Sequence, residues 1–90
     1  MYVISIHDVS DPAKFWSGQL DLPEGTELAI VAPSPDGRRG VCVFRSDSVN
    51  TVRDLVDGAA GAVSTNEYFP VDDKQAIGLP GAVSASGVTT

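Results

Sequence analysis

The sequence predicts an α+β fold: a four-stranded antiparallel sheet with two helices, in the order strand, helix, strand, strand, helix, strand. Three observations carry this expectation. Four short runs rich in β-branched and aromatic residues are spread over residues 2–71. Two segments that open on capping residues separate the first run from the second and the third from the fourth. A turn rich in Pro and Gly, from Pro33 to Gly40, joins the middle two runs.

The first strand, β1, spans residues 2–9. Its alternation sets Ile4 and Ile6 on one face and Val3, Ser5 and His7 on the other. Asp11-Pro12 then starts a helix, α1: the carboxylate accepts orphan amides and the proline ring presets φ. The helix is expected to reach about Gln19, with Phe15 and Gln19 on one stripe and Trp16 and Leu20 on the next. Asp21 to Gly25 ends it in a loop.

Residues 27–32 are a nearly continuous apolar run of strand length, and residues 41–45 are β-branched and aromatic. Together they read as a hairpin, β2 and β3. Ser46, Asp47 and Ser48 offer capping oxygens to the second helix, α2, where Val49, Val52, Val56 and Ala59 fall on one stripe and Arg53, Asp54 and Asp57 are expected to face away. Gly58 and Gly61 are candidate C-terminal caps. Residues 65–71 form the last strand, β4, with Pro70 at its end because proline cannot donate to a ladder.

This order is the split βαβ arrangement, the ferredoxin-like fold, with sheet order 4-1-3-2 and both helices on one face. Residues 1–77 are expected to form this domain and residues 78–90 a C-terminal tail, with Ile77, Leu79 and Val83 packing on a partner subunit. One helix layer leaves the other sheet face uncovered. The expectation places Val3 on that face, together with either Val41 and Val43 or Cys42 and Phe44, and a second copy of the chain as its cover, in a homodimeric barrel.

The totals narrow the function classes. Ninety residues allow one domain with a thin core. Twelve Asp and Glu against six Lys and Arg give a net charge of −6, which repels phosphate backbones and anionic lipid. Neither a nucleic acid nor a membrane is therefore expected as a partner. The one cysteine, Cys42, has no partner for an internal disulfide and suits a reducing cytoplasm, as does an N-terminus without a basic start.

The layout resembles the dimeric α+β barrel superfamily, which includes antibiotic-biosynthesis monooxygenases and muconolactone isomerases. More narrowly, the strings Gly40-Val41-Cys42-Val43-Phe44-Arg45-Ser46-Asp47-Ser48 and Asn66-Glu67-Tyr68-Phe69, with the Val52-Leu55-Val56 helix between them, resemble small actinobacterial proteins related to a nickel-binding family. The resemblance spans roughly residues 2–77. It implies a homodimer and, for the enzymes, cofactor-independent activation of an electron-rich aromatic or lactone substrate inside each barrel. The nickel-binding relative carries histidines on its first strand and second helix. His7 matches the first, and residues 49–60 hold no counterpart to the second, so no metal ligands are assigned.

Chemistry centres on His7, the one histidine and the candidate catalytic residue. It is expected beside Ser5 on the face away from the helices. Pairing of β4 with β1 would bring Asn66 and Tyr68 to the same cavity, making Ser5, His7, Asn66 and Tyr68 the candidate ligand-binding set. A His with hydroxyl and amide neighbours polarises a ligand or shuttles a proton; alternatively it is a hydrogen-bonded, inert residue near an interface. Trp16 either stacks a ligand or fills the core, Cys42 reads as structural, Arg38 and Arg39 as a solvated hairpin tip, and Asp72-Asp73 as surface charge. No phosphate-binding, zinc or nucleophile-elbow motif is present. The expectation is a small-ligand-binding protein without a cofactor. The alternatives are a cofactor-independent monooxygenase, isomerase or cyclase using His7, and a metal-binding (nickel-type) or structural protein.

Overall fold

The computed structural model describes residues 1–18 and 20–79. The chain runs β1 (Tyr2–Val9), α1 (Pro12–Ser17), β2 (Glu27–Pro33), β3 (Arg39–Arg45), α2 (Val49–Ala60) and β4 (Ser64–Pro70). The four strands form one antiparallel sheet of order β2-β3-β1-β4, which is the ferredoxin-like arrangement. Of the expected tail, only Gly78 and Leu79 lie among the described residues.

Each helix starts where its cap dictates. Asp11 Oδ1 accepts from the Lys14 amide at 3.2 Å, with Pro12 at the first helical position. Ser48 Oγ accepts from the Thr51 amide at 3.1 Å. The α1 helix is shorter than expected and stops at Ser17, because Gly18 turns to extended backbone. The α2 helix ends at Gly61, whose amide donates to the Asp57 carbonyl. The hairpin turn closes with the Gly37 amide on the Ser34 carbonyl at 2.9 Å, and Gly37 takes the φ of +73° that this turn requires.

The sheet faces are the reverse of those expected for β1. Val3, Cys42 and Phe44 pack with Val52 and Val56 of α2, and Trp16 and Leu20 join the same cluster. Both helices therefore cover the face that carries Val3, Ser5 and His7, and His7 is a core residue at 1% exposure. Alternation along β1 identified which residues travel together; it could not say which set meets the helices. Strand register sorts the rest. Val3 lies opposite Phe44 and Ser5 opposite Cys42, whereas Ile4 lies opposite Val43 and Phe69, and Ile6 opposite Val41 and Glu67.

An irregularity between Leu28 and Ile30 gives β2 two personalities. Leu28 pairs with Phe44 and Ile30 with Val43, so two residues along one strand correspond to one along the other. The extra residue swaps faces, as in a β-bulge. Leu28 joins the core, and Ile30 stands on the open face. The face away from the helices carries Ile4, Ile6, Ile30, Val41, Val43 and Phe69; Val43 is buried, Ile4, Ile6 and Val41 are half-buried, and Ile30 and Phe69 are 39% and 43% exposed, so this face is open chiefly at the latter two.

Candidate functional site

Pairing of β1 with β4 sets His7 opposite Asn66 and Ser5 opposite Tyr68. All four sequence-predicted site residues thus come to one place, on the helix side of the sheet. His7 Nδ1 lies 2.6 Å from Asn66 Oδ1, and His7 Nε2 lies 3.0 Å from Ser5 Oγ. Asn66 Nδ2 donates to Asp57 Oδ1 at 3.1 Å and to Ser64 Oγ at 3.0 Å. Both amide hydrogens are thereby engaged, which turns Oδ1 toward His7 as an acceptor. It follows that Nδ1 carries the imidazole proton and that Nε2 accepts from the Ser5 hydroxyl.

Tyr68 joins the same chain by donating to Asp57 Oδ1 at 2.7 Å. Asp57 is a member that the helical stripe does not predict: the stripe places it on the outer face of α2, yet its carboxylate bonds to Asn66 and Tyr68 of β4. Only a few residues connect α2 to β4, so the last turn of α2 passes over that strand, and Asp57 follows Val56 onto it. Connection length was the available signal. Arg53 lies over the Tyr68 ring at 5.5 Å, against the expectation that it faces away.

Burial holds His7 below the ordinary imidazole range, against the smaller opposite pulls of the Asn66 acceptor and the Asp57 charge. His7 is therefore neutral at pH 7, in agreement with its hydrogen-bond pattern. Burial likewise pushes the Cys42 thiol up to about 11, with the Ser5 hydroxyl pulling weakly the other way. Such a thiol stays protonated and is a poor nucleophile. The Tyr68 phenol is raised as well, first by desolvation and then by its bond to Asp57.

Next to this chain lies a cavity of about 230 Å³ between the helices and the sheet. His7, Cys42, Phe44 and Leu28 floor it; Lys14, Phe15 and Trp16 form one wall; Val56, Ala59 and Ala60 form another. The aromatic rings are interlocked. His7 and Phe15 centroids are 4.9 Å apart, Phe15 and Trp16 4.5 Å, and the Trp16 indole N–H donates to the Gly37 carbonyl at 2.7 Å.

The connectivity of Ser5, His7 and Asn66 has the order of nucleophile, base and orienting group. Access decides against that use. Ser5 is fully buried and does not line the cavity, so its hydroxyl is shielded from any molecule held there. Its other neighbour is the Cys42 carbonyl at 3.4 Å. Arg38, Arg39, Asp72 and Asp73 are exposed and lie outside this site. Among the described residues, no group of three or more His, Cys, Asp or Glu is placed to hold a metal ion, and no helix is long and apolar enough to cross a membrane. Compared with protein-family models, with curated proteins and with solved structures, the chain matches none.

Proposed function

We propose that this chain binds a small apolar or aromatic molecule in the cavity between its helices and its sheet, and does so as a homodimer joined through the open sheet face. The observation that carries the first part is the cavity itself: a mostly apolar hollow, lined by Phe15, Trp16 and Phe44 together with Leu, Val and Ala side chains, with one neutral imidazole at its floor. Both His7 nitrogens are bonded within the protein, which supports a role for His7 in shaping and polarising the floor. The layout shared with the dimeric α+β barrels and the apolar character of the open face support the homodimer.

The size of the cavity supports a one-ring or fused two-ring occupant. A cavity of about 150 Å³ is enough for benzene, and drug-sized ligands occupy roughly 300–1,000 Å³. Titration with 2-naphthol followed by amide NMR tests the binding. Shifts centred on His7, Phe15 and Cys42 are expected, and Ala59→Leu, which adds bulk to the cavity wall, should weaken or abolish them. Unperturbed spectra at millimolar 2-naphthol would refute the binding function.

A second reading makes the same pocket catalytic, as a cofactor-independent monooxygenase, isomerase or cyclase with His7 as base. What favours it is that His7 is neutral, lines the cavity, and is held in one tautomer by Asn66 and Asp57 behind it. Turnover of a bound aromatic or lactone compound that disappears in His7→Gln, with binding retained, would support it over binding alone.

A further inference from the structure

We propose that the occupant of this cavity is an aromatic anion, and that Lys14 is the cation that selects it. The proposal deepens the binding function above and rests on it. The supporting observation is a contrast in charge. The chain as a whole carries twelve acidic residues against six basic ones. Among the described residues, 14 line the cavity; none of them is acidic, and Lys14 is the one with a full charge, His7 being neutral.

Among the described residues, no ion pair engages the Lys14 ammonium. The ion pair found among the described residues joins Arg45 to Glu27, at the far end of the sheet from α1. The nearest carboxylate in sequence, Asp11, is committed to capping α1 through the Lys14 backbone amide. Lys14 therefore stands exposed on the α1 wall, outside any ion pair among the described residues. Beside it, Phe15 and Trp16 meet edge to face, and Phe15 tilts against His7. The rings of His7, Phe15, Trp16 and Phe44 line part of the hollow, and an aromatic occupant gains stacked or edge-to-face contacts with them that an aliphatic one does not. A ring in the hollow with a carboxylate at the Lys14 end satisfies both features at once.

Paired probes separate charge from shape. 2-Naphthoate and 2-naphthamide have nearly the same volume and differ in charge. At low salt, 2-naphthoate should bind about fivefold tighter than the amide, the advantage expected of one partly exposed ion pair. That advantage should shrink in 0.5 M salt, where charges are screened within a few ångströms. It should vanish in Lys14→Met, which keeps the aliphatic stem, and persist in Lys14→Arg.

Equal affinities for the two probes, or a preference that survives Lys14→Met, would overturn the role of Lys14 while leaving the cavity a binding site. Failure of both probes to bind the wild-type protein would overturn the binding function and this inference together.

Discussion

His7 is the residue on which most of the site depends. It is buried, neutral and bonded at both ring nitrogens. Replacing it by Ala removes the ring and strands Ser5 and Asn66, and should cost about 2–4 kcal/mol in urea unfolding. Its titration makes a separate prediction. The unfolded imidazole titrates near its ordinary value of about 6.5, and the folded one titrates lower because burial disfavours the charged form. Stability linked to His7 is thus fully present above about pH 6.5 and is lost as pH falls through the folded value. Wild-type protein should lose more stability than His7→Gln between pH 7.5 and pH 5, and equal losses would show that His7 makes no such contribution. The cluster was legible in sequence because Ser5 and His7 sit two apart on one strand, Asn66 and Tyr68 two apart on another, and the two strands pair. Asp57 and Lys14 were not legible: they come from helices, and which way a helix turns is decided by what it lies on.

Among the elements, α1 is the one whose placement rests on the fewest groups. Six residues are too few to hold a helix in water unaided. It is fixed by Phe15 against His7 and by Trp16, whose N–H reaches Gly37 and whose ring lies on Gly40. A Cβ at Gly40 would come within 2.5 Å of that ring. Gly40→Ala should therefore displace the indole, destabilise the protein by about 1–3 kcal/mol and shift Trp16 fluorescence to the red; an unchanged spectrum would show that α1 is held by other means. The elements themselves were readable to within a few residues, since Asp11-Pro12 and Ser48 act locally. The bulge after Leu28 was not, because it answers to the two faces that β2 must serve, and these exist only once the sheet is formed.

At the level of the whole molecule, the proposed homodimer is the property most open to direct measurement. Ile30→Asp combined with Phe69→Asp puts two charges on the open face and should give a monomer in light scattering at micromolar concentration, where the wild-type chain should give a dimer. A wild-type monomer would remove the partner subunit. Strand β1 links this question to the cavity. Ile4 and Ile6 look out from one side of it, and Ser5 and His7 look in from the other. Whatever settles on the outer surface and whatever enters the hollow are neighbours through a single ribbon of peptide. Should either tighten the grip of the other, thermodynamics requires the favour to be returned in equal measure.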